Sequence, residues 1–111
     1  MDTPSANDKL AEIGSRYVKR TLGEMTELRR LLDAAVSGDA AAFHQIGRLA
    51  HRIHGSGAMF GFNALSDVAG RLERTVDAVA DQDFAMSLES VRADVDELEQ
   101  QVRAAAVARG V

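Results

Sequence analysis

The chain has 111 residues, 46% of them hydrophobic and 27% charged, with no cysteine and a net charge of −4. That length fits one domain around one modest core, and the missing cysteines exclude a disulfide framework, a thiolate zinc site and a cysteine nucleophile. Apolar runs are far too short to span a membrane, residues 1–8 lack the apolar stretch of a signal peptide, and the acidic balance argues against nucleic acid as main partner; a cytoplasmic monomer is expected.

Strand signals are few and helical periodicity dominates, so the expected class is all-α. Residues 1–7 read as a flexible leader and residues 8–108 as a single domain. The first amphipathic stretch, 8–36, lines up Leu10, Ile13, Tyr17, Thr21, Met25, Leu28, Leu32 and Ala35. A break near Gly14 and Ser15 is expected, giving a short extra N-terminal helix before a long one. Tyr17 is expected to pack on the bundle with its hydroxyl near water. Ser37, Gly38 and Asp39 then supply a glycine C-cap and an aspartate N-cap.

The second helix is predicted over 40–60, ended by Gly61. Asn63 is the expected cap of the third, whose apolar set is Leu65, Val68, Ala69, Leu72, Val76 and Val79. Asp81, Gln82 and Asp83 form the next turn. The last helix, 84–107, spaces Phe84, Leu88, Val91, Val95, Leu98, Val102 and Ala105 at alternating four and three, which suits shallow-angle packing. Its acidic residues Asp94, Asp96, Glu97 and Glu99 read as a solvated face. Short connections favour an antiparallel up-down-up-down four-helix bundle.

Charge is unevenly distributed. Residues 40–66 contain no Asp or Glu, yet hold His44, His51, His54, Arg48 and Arg52. On a wheel at about 100° per residue, Phe43, Ile46, Leu49, Ala50, Ile53, Gly57 and Phe60 form one apolar arc. His51 points about 140° from the centre of that arc, toward solvent. Gly47 and Gly55, one turn before and after it, each fall within about 40° of its direction, and Ala58 lies close as well. Glycine in a helix costs about 1 kcal/mol relative to alanine. Two of them astride one exposed imidazole read as clearance for a macromolecule bringing an electrophile to the ring. A neutral imidazole can attack phosphorus directly, whereas no G-x-S-x-G or nearby carboxylate in sequence supports a hydrolase.

The run Leu49-Ala50-His51-Arg52-Ile53-His54-Gly55-Ser56-Gly57-Ala58, followed by Gly61, Leu65, Ala69 and Leu72-Glu73, resembles the signature of histidine-containing phosphotransfer (HPt) domains. The resemblance covers essentially the whole chain and implies a four-helix bundle. It further implies a phosphorelay intermediate that exchanges a phosphoryl group between His51, through Nε2, and the aspartate of a response-regulator receiver domain or a hybrid kinase receiver. Under it, His54, Arg48 and Arg52 stabilise the phosphoryl group, and His44, Gly47, Gly55 and Ala58 form the docking floor. The chain itself needs no cofactor; Mg is expected on the receiver. His54 stands where the family usually has lysine.

Other readings compete. A metal-binding bundle lacks the Glu-x-x-His arrangement, and a kinase dimerisation hairpin would carry an acidic residue after the histidine, where Arg52 stands. No glycine-rich nucleotide loop occurs, so autophosphorylation from ATP is expected to fail and the chain to be a carrier, not an enzyme. The strongest alternative is a non-catalytic helical adaptor, which docks a signalling partner without phosphorylation.

Overall fold

A computed structural model describes residues 5–81 and 84–111, with 80, 81 and 84 described by backbone alone. Four helices, α1 (Ala6–Val36), α2 (Ala40–Met59), α3 (Asn63–Asp77) and α4 (Phe84–Ala108), are joined by short connections, with a 3-10 turn at Ala78–Asp81. No strand occurs among the described residues. Each helix packs on its neighbours in sequence and α1 closes on α4. Cross-helix partners run in opposite order along every pair: Tyr17 meets Ser56 and Glu24 meets Arg52; His51 meets Glu73 and His54 meets Ser66; Arg71 meets Glu97 and Thr75 meets Asp94; Ala11 meets Arg109 and Arg29 meets Glu99. The bundle is therefore antiparallel, and it extends 59 × 20 × 20 Å.

The stripes predicted from periodicity make one shared core. Leu28, Leu32, Leu72, Val91 and Leu98 are buried, with Ile46 and Ile53 of α2 between them. Left-handed glycines end α1 and α2, Gly38 at φ 102° and Gly61 at φ 81°, conformations that cost other residues dearly. Asp39 caps α2 by accepting from the Ala42 amide.

Several expectations are corrected. No separate N-terminal helix exists among the described residues: α1 starts at Ala6, capped by a Ser5–Asp8 box, and runs straight through Gly14. Of the leader, residues 1–4 fall outside the described residues, while Ala6 and Asn7 are already helical. Gly14 does not break the helix because the Arg109 guanidinium lies over it and donates to the Ala11 carbonyl at 3.2 Å. Leu10 and Ile13 are exposed rather than core, since the first turns of the 31-residue α1 run past the ends of its neighbours.

The cap of α3 is Phe62, not Asn63, and it makes no side-chain cap bond. Its ring stacks on Tyr17 at 5.3 Å under Arg109, and its amide donates to the Gly57 carbonyl, so the aromatic cluster sets that turn. Phe60 is partly exposed, not core, because it sits past the last turn of α2. The Tyr17 hydroxyl, expected near water, instead meets Ser56 Oγ at 3.1 Å. Gln82 and Asp83 of the predicted turn, and the side chain of Phe84, lie outside the described residues. Finally, the acidic residues of α4 are not a merely solvated face. Asp94 and Glu97 hold Arg71 of α3, while Asp96 and Glu99 hold Arg29 of α1.

Candidate functional site

The site lies along the seam between α2 and α3, which small residues allow to close. A Cβ on Gly47 would meet Val76 at 3.0 Å, one on Gly57 would meet Leu65 at 2.9 Å, and one on Gly70 would meet the His54 ring at 2.8 Å. Along this seam each residue of α2 meets one of α3 in reverse order, and His51 meets Glu73.

The His51 side chain is 73% exposed, as the wheel predicted. Its Nδ1 lies 2.5 Å from Glu73 Oε2. A carboxylate only accepts, so Nδ1 carries the hydrogen, and of the two neutral tautomers the contact selects the one with its lone pair on Nε2. Glu73, itself largely shielded, thus fixes both the tautomer and the ring plane. The imidazole stands beside an open groove of about 790 Å³, lined among others by His44, Gly47, Arg48, Glu73 and Val76.

The other predicted residues divide. Arg48 and His44 are exposed and line the same groove. Arg52 is exposed and lines it too, with its guanidinium 3.6 Å from Glu24 of α1. Gly55 and Ala58 are exposed, and a Cβ on Gly55 would meet nothing within 4 Å. Gly47, expected on the docking floor, is buried: its missing side chain makes room for Val76. His54, expected to offer a ring N–H to a phosphoryl group, is half-buried, with Nδ1 2.8 Å from the Ser66 carbonyl. That carbonyl takes the Nδ1 hydrogen, so this nitrogen is engaged within the bundle.

Glu73 is the partner that reading α2 alone missed. It stands in the quoted Leu72-Glu73 pair, but only the packing of α3 shows which side chain it meets. No cluster of three or more metal-ligating side chains is found among the described residues. No helix, among the residues described, is long and apolar enough to cross a membrane.

A scan against protein-family models matches the Hpt domain over residues 16–108. The chain belongs to the Hpt domain family. Hpt domains serve histidine phosphotransfer in two-component relays, as phosphocarrier modules that work with response-regulator receiver domains. Searches of curated proteins and of solved structures give no match. The match begins within α1, so the first turns of that helix precede the matched Hpt segment.

Proposed function

We propose that this Hpt domain accepts and donates a phosphoryl group at His51 Nε2, exchanging it with the aspartate of a receiver domain. The observation that carries the reading is an exposed imidazole whose Nδ1 is held by Glu73. In the forward step the Nε2 lone pair attacks phosphorus, an N–P bond forms, and the acyl-phosphate P–O bond breaks to leave the receiver's carboxylate. The product ring is a phospho-imidazolium that keeps its Nδ1 hydrogen, so no proton has to leave. Glu73 faces the positive charge that develops there, a role like that of the orienting carboxylate in a catalytic triad.

Arg48 and Arg52, on the groove side of α2, screen the arriving negative charge. Gly55 and Ala58 leave the approach to the ring uncrowded. The metal ion and the main phosphate-binding groups come from the receiver; this chain contributes a nucleophile held on a rigid helix.

The test mixes the protein with receiver domains phosphorylated by acetyl phosphate and follows an acid-labile, base-stable adduct. The adduct is expected with wild type and absent from His51→Gln. Stable receiver binding without any adduct would establish the adaptor reading instead, and an adduct on His51→Gln would move the nucleophile elsewhere.

A further inference from the structure

We infer that His54 is a positioning residue for the phosphoryl site: it locks the register of α3 against α2 so that Glu73 meets His51. The inference rests on His51 being the phosphoryl acceptor. Its physical basis is the next contact along the same seam.

His54 Nδ1 lies 2.8 Å from the Ser66 carbonyl and 3.2 Å from Ser66 Oγ, while Ser66 Oγ donates to the His54 carbonyl at 2.7 Å. Every hydrogen is accounted for: Nδ1–H is shared between two acceptors, and the hydroxyl hydrogen returns to α2. Ser66 is 2% exposed, so no water competes freely for it. In a helix a carbonyl is normally covered by the side chain one turn further on. For Ser66 that residue is Gly70, where a Cβ would stand 2.8 Å from His54 Nδ1. Gly70 therefore leaves the Ser66 carbonyl open, and the imidazole fills the gap.

The spacing connects this lock to the reactive ring. His54 follows His51 by about one turn on α2, roughly 4.5 Å along the axis. Gly70 precedes Glu73 by the same step on α3. The contacts of Gly47 with Val76 and of Gly57 with Leu65 are close but apolar and carry no directional bond. The bonds of His54 with Ser66 are directional. A slip of one turn, about 5.4 Å, would carry Glu73 out of reach of Nδ1, because a hydrogen bond at about 3.6 Å is no longer one. His54 thus governs the tautomer of His51 without touching the phosphoryl group.

The test uses the full chain with His54→Ala, His54→Asn, His54→Lys and Gly70→Ala. The His51 tautomer is read by two-bond 15N–1H NMR of the imidazole, and phosphorylation is timed with phosphoramidate as donor. Asparagine places an amide N–H near the position of Nδ1 and is expected to preserve both the single Nδ1–H tautomer and the rate. Alanine and lysine are expected to release Glu73, mix the tautomers and slow phosphorylation about tenfold. Gly70→Ala should reproduce the His54→Ala result and add nothing to it in the double variant. An unchanged His51 tautomer across all variants would overturn the inference, as would a lysine variant at least as fast as wild type beside a slow asparagine variant. The tautomer is read without any phosphoryl donor, so a wild type that takes no phosphate defeats the reading of His51, not the lock.

Discussion

Glu73 gives the imidazole of His51 a direction. With Nδ1 held at 2.5 Å, Nε2 is the ring nitrogen left for whatever enters the groove that His51 lines. Replacing Glu73 by Gln keeps the size but removes the charge that faces the phospho-imidazolium. Transfer from a phosphorylated receiver is expected to slow about 10- to 100-fold, the usual cost of losing an orienting partner. Rapid-quench kinetics with the helical content unchanged would measure it. At this scale the exposure of His51 was legible because it sits opposite the apolar arc of its own helix. The fate of Gly47 and His54 was not, since a wheel of one helix contains no information about the neighbour that covers it. Gly47 resembled a cleared surface, yet Val76 uses the space.

Among the helices, the interior glycines sort into two kinds with opposite consequences. Gly57 lies under Leu65, Ser66 and the Tyr17 hydroxyl, so Gly57→Ala overpacks the seam and is expected to destabilise by about 1–3 kcal/mol. Gly55 has open space around it, and alanine there should stabilise α2 by about 1 kcal/mol. Under the proposed docking the same methyl group impedes the receiver, so Gly55→Ala is expected to raise the thermal midpoint while slowing transfer. Thermal melts and transfer rates on the two variants check both signs. Helix ends were readable because Gly38 and Gly61 take conformations suited to glycine. The continuity of α1 was not readable, because the reason Gly14 tolerates burial is Arg109, almost the whole chain away.

For the bundle as a whole, charge pairs tie α4 to both its neighbours. Hydrogen bonds from Arg29, and then Arg103, hold the Glu99 carboxyl below its ordinary range despite the opposing effect of burial. Burial pulls the Arg29 guanidinium down, but Glu99 and Asp96 outweigh it and hold it up. A depressed carboxylate contributes stability that is complete above its unfolded value, near 4.5, and is lost as pH falls through the folded one. Glu99→Gln is therefore expected to cost a modest amount of stability at pH 7 and to flatten the decline below about pH 4.5. Urea melts between pH 3 and 7 would show it. The apolar spacing of α4 predicted its buried stripe, but the same acidic residues looked merely solvated because the arginines they meet belong to α1 and α3.

The pairing of His51 with Glu73 has a kinetic corollary. With one ring nitrogen occupied from the α3 side, phosphorus arrives and departs by a single path, so supplier and recipient cannot be seated together. Under the proposed transfer at His51, the domain is expected to work as a shuttle with ping-pong kinetics. A surplus of the unphosphorylated recipient is then expected to inhibit loading by competition, which steady-state kinetics at varied partner ratios would show.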